Sequence, residues 1–591
     1  MKVSAFLTAV AVSFVATSAV GQSAGGEVEP GPEATILGHV NKFRQADPDP
    51  RSLTVPEDFQ VELVARDLGN ARMLAISDEG RVYVTRRTEG DVQLLTDRDG
   101  DGVYEGKQTV ASRPNMHGIA IDGSTMYLVT IKELYQTDIG PDGGLGPLQL
   151  IVDDLPDAGQ HPNRTLGVGP DGRIYISVGS TCNACAENNP ENATIVRIRA
   201  DGTGRQIFAS GLRNTIGFDW NPRDGALWGL DHGIDWLGDE VQPEEVNHIV
   251  QNGTYGWPYV WGADGENPQD YPPGGLTMDD WKAISTPMVL GYTAHAAPMQ
   301  MAFNRGTNFP AEMQGDIFAA YRGSWNREAP AGYEVVRIRF GEDGQAQSAE
   351  PFLTGFLQQI EGETAWTGRP TGLAFAPDGT MLVTDPENGA LYRISYAGGN
   401  AAATPLRSAE VSPADRPQPL ALERISAGAA ADMQVKASFT EGDAIPRAHS
   451  AYGENISPAL SWTEGPAGTQ SYAIIVEDPD AGTPAPIVHW LAWNIPADVV
   501  RLPEGMGGGP QLTDPEGMRQ GITARGSLGW FGPRPPAGDP PHNYHFQIFA
   551  LDRQLDLLPR AGRDEVIAAM KGHVLGRGEL IGTYAHGDAE P

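Results

Sequence analysis

Cysteine, basic charge and long apolar runs are scarce in this chain of 591 residues, and each scarcity excludes something. Only Cys182 and Cys185 occur. A structural zinc site needs about four ligands, and no second pair exists to complete one. A c-type haem needs His directly after the second Cys, where Ala186 stands. In an oxidising compartment such a pair reads as a local disulfide closing a tight loop, with a redox pair as the competing reading. Lys and Arg number 42 against 76 Asp and Glu, a formal charge of −34. Nucleic acid and anionic membrane surfaces select basic patches, so neither partner is expected. Beyond the first 20 or so residues no apolar stretch is long enough to span a bilayer.

The amino terminus has the grammar of an export signal. Lys2 precedes an apolar run to about Val20, and Ala19-Val20-Gly21 is a small-x-small cleavage site before Gln22. Residues 1–21 are read as a signal peptide and 22–54 as an extension, and the mature protein is expected to be periplasmic or secreted. The alternative, a membrane anchor, is disfavoured by Ser13, Thr17 and Ser18 within the run.

Glycine (73) and proline (47) are abundant, which favours many short strands joined by tight turns. The length exceeds a single ordinary core. Between residues 55 and 397 a Gly-containing turn followed by an alternating apolar strand recurs. It appears at Asp78-Glu79-Gly80, Asp122-Gly123, Pro170-Asp171-Gly172, Asp224-Gly225, Gly315-Asp316 and Pro377-Asp378-Gly379. Six units at this spacing predict a six-bladed β-propeller, with a β-sandwich as the competing architecture. Residues 398–432 are rich in Ala and Pro and read as a linker. Residues 433–591 return to apolar strands, with one late helix expected around Asp564, Glu565, Val566, Met570 and Val574. The fold class is therefore mainly β.

The motifs of the first region form a specific set. They are Gly211-Leu212-Arg213-Asn214, Asp231-His232-Gly233-Ile234-Asp235, Glu244-Glu245-Val246-Asn247, Gly253-Thr254-Tyr255-Gly256-Trp257-Pro258, Gly323-Ser324-Trp325-Asn326-Arg327 and Gly368-Arg369-Pro370. In this order they resemble the glucose/sorbosone dehydrogenase family, six-bladed propellers that bind pyrroloquinoline quinone (PQQ), with the sorbosone branch nearest. The resemblance implies a PQQ-dependent oxidation of a sugar or aldehyde, with electrons passed to an external acceptor. It places the catalytic base at His161 and cofactor contacts at Arg213, Asn214, Arg322 and Arg369. It implies a calcium ion held by the carbonyls of Gly233 and Ile234. Two departures stand out: His232 and Ile234 replace the branch's usual Asn and Arg, and Arg322 stands where the branch often has His. They keep open a rival class, a non-catalytic propeller that binds a carbohydrate or protein. Asp97, Asp99 and Asp101 resemble the start of a calcium loop, weighed against a solvated acidic turn, since Gln108 replaces the closing Glu.

The last region carries Asp478-Pro479-Asp480, His489-Trp490, Gly532-Pro533-Arg534-Pro535 and His542-Asn543-Tyr544. These resemble the bacterial branch of the phosphatidylethanolamine-binding protein (PEBP) family. The resemblance implies a small anion pocket from Asp478, His489, Pro533, His542 and Tyr544, supported by Asp480, for a phosphate-containing ligand. The same His and Asp residues also suit a metal or a purely structural role.

Overall fold

A computed structural model describes residues 44–46, 50–157, 159–273, 276–306, 308–398, 418–425, 431–481, 483, 485–535 and 539–586. The expected signal peptide lies outside them. Among the described residues no helix is long and apolar enough to cross a membrane.

Each repeated turn joins the innermost and second strands of a sheet with four antiparallel strands, to which the third sheet adds Gly253–Thr254 as a parallel fifth. Blade one runs Ala71–Ile76, Val82–Arg86, Asp91–Thr96 and Gly106–Ser112. Blades two to five follow in the same order. Their innermost strands are Gly118–Asp122, Thr165–Val168, Thr215–Trp220 and Pro298–Phe303. The turn glycines 80, 123, 172, 225, 315 and 379 all have φ between 55° and 87°, a region other residues enter at a cost. That requirement is why the repeat is visible in the sequence.

Blade six takes Leu373–Phe375, Met381–Asp385 and Ala390–Tyr396 from the end of the region and its fourth strand, Phe59–Ala65, from the beginning. Each innermost strand packs on the next, and that of blade six on that of blade one. Phe59, Phe309, Phe318 and Phe352 meet edge to face across blades five and six, where the two ends of the region join. Burial of each such ring contributes about 1.5–3 kcal/mol.

The carboxy-terminal domain is a seven-stranded sheet and a three-stranded sheet around Trp490, Tyr544 and Phe546. The late helix, Arg563–Met570, packs Val566 and Ile567 on the larger sheet. It stops earlier than the spacing suggests. Val574 begins the strand Val574–Tyr584, because the turn at Gly572 (φ 82°) reverses the chain.

The linker boundary is also different from its composition. Ala421–Arg424 is a short helix, held when the Glu477 carboxylate accepts the Ala421 N–H at 2.9 Å. Ala431–Asp432 pairs with the strand Val574–Tyr584. These residues belong to the second domain's packing, and local composition does not reveal such long-range partners. Likewise Arg44–Gln45 of the amino-terminal extension pairs with Ala365 and Trp366 on the propeller.

Candidate functional site

Because the innermost strands run in the same sense around the ring, their starts share one face. The residues at those starts are Arg72, His117, His161, Arg213, His295 and Arg369. The loops leaving the second strands reach the same face with Arg87, residues 180–185, residues 232–239, Arg322 and Glu387. The fold thus gathers residues from every blade at one mouth.

His161 lies against the loop of residues 180–185. Its Nδ1 is 2.8 Å from the Ser180 hydroxyl oxygen and 3.1 Å from the Ser180 carbonyl oxygen. The hydroxyl donates its own proton to the Cys182 carbonyl at 2.7 Å. Nδ1 must therefore be the donor, which leaves the lone pair on Nε2. Burial, and then the charges of Arg213 and His232, push the imidazole down to about 2. His161 is neutral with its accepting nitrogen fixed.

Cys182 and Cys185 form a disulfide. The loop they close carries Asn183, which binds its surroundings in several directions. The Asn183 carbonyl accepts Arg213 Nε at 2.9 Å and Trp257 Nε1 at 3.2 Å. Its side-chain oxygen accepts Arg213 Nη2 at 2.7 Å and the Asp235 N–H at 2.8 Å. Arg213 also pairs with Asp235 at 2.8 Å, and Asn326 donates to the other Asp235 oxygen. Asp235 lies in a motif visible in the sequence, but its contact with Asn183 is set only by the closed loop.

Asn214 donates its backbone N–H to Asp231. The Gly233 N–H goes to Glu244 and the Ile234 N–H to Gln242, which fixes both peptide planes. Ile234 is buried beside Ala193 and Trp257. His232 is half-buried, donates Nε2–H to the Pro298 carbonyl, and is pushed down to about 4 chiefly by desolvation.

The opposite wall is cationic. Arg369 donates to the carbonyls of Arg322 and Gly323 and lies over the rings of Tyr333 and Trp366. Arg322 pairs with Glu387. Arg72 sits among them, its guanidinium drawn down to about 9 by burial and by the charges of Arg322 and Arg87. The Nε atoms of Arg72, Arg87 and Arg322 are buried without a hydrogen-bond partner. Clustered guanidinium groups that repel one another and keep unpartnered Nε donors fit a polyanionic ligand. Arg72, Arg87 and His117 escaped the sequence reading because only the ring of blades sets them beside Arg322.

Asp97, Asp99 and Asp101 do converge, and Glu105 joins them, with one carboxylate oxygen from each within 4.8 Å of the others. Backbone N–H groups, chiefly that of Gly102, hold the Asp97 carboxyl below its ordinary range.

In the second domain, His542 Nδ1 lies 2.9 Å from Asp478. That hydrogen bond and charge outweigh burial and raise the His542 imidazole. His489 donates Nδ1–H to the Phe531 carbonyl, and its Nε2 is buried without a partner. These side chains line a cavity of about 450 Å³ together with Arg525, Arg534 and Pro535. Pro535, rather than Pro533, forms the wall; the Pro533 carbonyl instead accepts the Ala451 N–H in a turn. Tyr544 lies beneath His489, ring to ring at 5.0 Å. The Asp480 side chain turns to Asn543, and its backbone N–H supports Asp478. Asp154, Glu191 and Arg205 of the propeller complete the cavity mouth. Arg525 pairs with Glu191 at 2.6 Å, and Arg534 pairs with Asp154.

Comparison with known proteins agrees with both halves. The TrAA12-like family model matches residues 53–252 and 273–397, and the phosphatidylethanolamine-binding protein model matches residues 435–585. An uncharacterized protein of Borreliella burgdorferi is 32% identical over 239 residues, 40% of this chain, and the match spans 61% of that protein's length. A UPF0098 protein of Methanothermobacter thermautotrophicus is 44% identical over 151 residues, 25% of this chain and 96% of its own. Two solved structures share the propeller fold at 20% identity and a TM-score of 0.51. One is a calcium structure of the Trichoderma reesei Carbohydrate-Active Enzymes Family AA12, covering 60% of this chain and 99% of that one. The other is the holo form of the pyranose dehydrogenase PQQ domain from Coprinopsis cinerea, covering 59% and 98%.

Proposed function

Because this chain belongs to the TrAA12-like family and carries a PEBP domain behind its propeller, we propose that it is an exported PQQ-dependent oxidoreductase of sugars or aldehydes. The observation that carries the reading is the meeting of one neutral, oriented histidine with clustered arginines, three of them with an unpartnered Nε, at one mouth of the propeller.

Arg72, Arg87, Arg322 and Arg369 would hold the carboxylates of the quinone, with Arg213 and Asn214 on the facing wall. The carbonyls of Gly233 and Ile234 would supply oxygen ligands to calcium; the loop at Asp97, Asp99 and Asp101 is a second, stabilising cation site in this reading. When bound, PQQ supplies a two-electron acceptor for hydride. His161 Nε2 accepts the proton of the substrate hydroxyl as the hydride leaves carbon. Ser180 keeps the tautomer that makes this possible. His232 and Ile234 do not contact the reacting atoms in this scheme; they fill the floor beneath the loop. The electrons would need an external acceptor, and the second domain would bind an anionic, phosphate-containing ligand.

The test adds PQQ and calcium to purified apoprotein and follows quinone absorbance, then dye reduction with a panel of aldoses and aldehydes. Saturable cofactor binding and dye reduction are expected. His161→Ala is expected to lower turnover by about 10²–10⁴-fold while leaving quinone binding within a few fold. Absence of cofactor binding overturns the dehydrogenase reading and leaves the carbohydrate- or protein-binding propeller. Full turnover in His161→Ala overturns only the base.

A further inference from the structure

The innermost strand of blade three runs from Thr165 to Val168, away from His161, so the turn that follows it lies at the other end of the propeller. That turn presents Asp171 and Arg173 to a cavity of about 380 Å³ between blades three and four. The volume is in the range of small-molecule sites. Tyr175, Phe208 and Trp220 line it, and Gln418 from the approach to the second domain borders it. The Tyr175 ring meets Phe208 and Trp220 edge to face, at 5.0 and 5.2 Å.

The charges in this cavity do not balance. Arg173 and Arg197 are 8% and 7% exposed. Asp171 serves both guanidinium groups loosely, at 3.9 Å from Arg173 Nε and 3.5 Å from Arg197 Nη1. The same Asp171 oxygen also accepts the Tyr175 hydroxyl at 3.1 Å. Arg197 lies over the Phe208 ring at 5.2 Å and so is partly compensated. Arg173 Nη1 is buried with no hydrogen-bond partner. Burial, with Arg197 beside it, holds the Arg173 guanidinium below its ordinary value. His248, the other titratable group on this wall, is also lowered by burial and stacks on Trp228. One positive charge is left over, next to apolar ring faces. A buried donor on a charged group is costly unless something accepts from it.

We propose that this cavity binds a small organic monocarboxylate with a flat apolar body, its carboxylate on Arg173 and its body against Phe208 and Trp220. A carboxylate suits the guanidinium fork, and a ring suits the aromatic walls. The site is separate from the quinone mouth and from the pocket around His489.

Benzoate is the probe, titrated into the full-length protein by calorimetry, with acetate and benzyl alcohol as the charge-only and ring-only controls. Benzoate is expected to bind once per chain, and each control about tenfold or more weaker. Arg173→Gln is expected to weaken benzoate by about tenfold or more, and Asp171→Asn to tighten it by removing a competing carboxylate. Arg534→Gln, which removes a cation of the other cavity, is expected to leave benzoate affinity unchanged. If Arg173→Gln folds poorly, Arg173→Lys keeps the charge but loses the fork, and weakened binding there supports the site equally. The proposal is overturned if benzoate gives no heat and no thermal shift at tens of millimolar. It is also overturned if affinity survives in both Arg173 variants, or is lost in Arg534→Gln instead.

Discussion

Arg72 concentrates the physical logic of the propeller mouth in a single side chain. It has neighbours of its own sign, and its Nε lacks a partner. Removing it should therefore help the empty protein and harm the loaded one. Arg72→Gln is expected to raise the melting temperature of the apoprotein and to weaken quinone binding by about tenfold, read by absorbance titration. The desolvated histidines make the opposite kind of contribution. His117, His161 and His232 stand at about 3, 2 and 4 in the folded chain, all below the ordinary value of 6.5. Below pH 6.5 the unfolded chain takes up protons that the folded chain refuses. The stability these groups contribute is thus present above 6.5 and lost as pH falls towards those lower values. Asp231, Glu245 and Glu244, raised by burial to about 6, 7 and 8, act in the other direction as pH rises. Comparing His117→Gln with the parent cancels the acids. The parent should lose stability relative to the variant as pH drops below 6.5, at most by about 1.4 kcal/mol per pH unit. A constant difference across that range would remove the histidine account.

At the scale of an element, the loop closed by Cys182 and Cys185 matters more for what it holds than for global stability. A ring this short removes little unfolded-state entropy, about 2 kcal/mol by the loop-closure estimate. Yet Asn183 inside it fixes Arg213 and Asp235 together. The double variant Cys182→Ser, Cys185→Ser is expected to lose no more than about 2 kcal/mol in denaturant unfolding. Its affinity for quinone should drop by a larger factor, as Arg213 is freed. Equal losses in both measurements would mean that the loop is only a staple. Blades show the other face of element-scale reasoning. The turn glycines were legible because positive φ selects residue type. The helix at Ala421–Arg424 was not, because its support comes from Glu477 and Gln547 across the second domain.

At the scale of the whole molecule, the two domains meet over paired charges. Glu191 is nearly fully buried between Arg205 and Arg525, and the Ile207 N–H of blade three donates to the Ala524 carbonyl at 2.8 Å. Arg525→Glu would bury like charges at this seam, at a cost of about 3–5 kcal/mol. Calorimetry should then resolve two unfolding transitions where the parent is expected to melt in one. A single unchanged transition would show that the seam does not couple the domains.

The sequence by itself determined the six turns, the blade periodicity, the change of grammar after residue 397 and the residue types that resemble two families. Those are local properties: a φ that only glycine adopts cheaply, an alternation of period two, a short motif. Tertiary structure alone decided which cations share the mouth with His161, which tautomer that histidine holds, and that Pro535 and Arg534 wall the second pocket. It also decided that Arg173 shares one carboxylate with Arg197 and keeps an unpartnered Nη1. These depend on distances between residues far apart in the chain and on the water excluded around them, and neither quantity is written in the order of the amino acids.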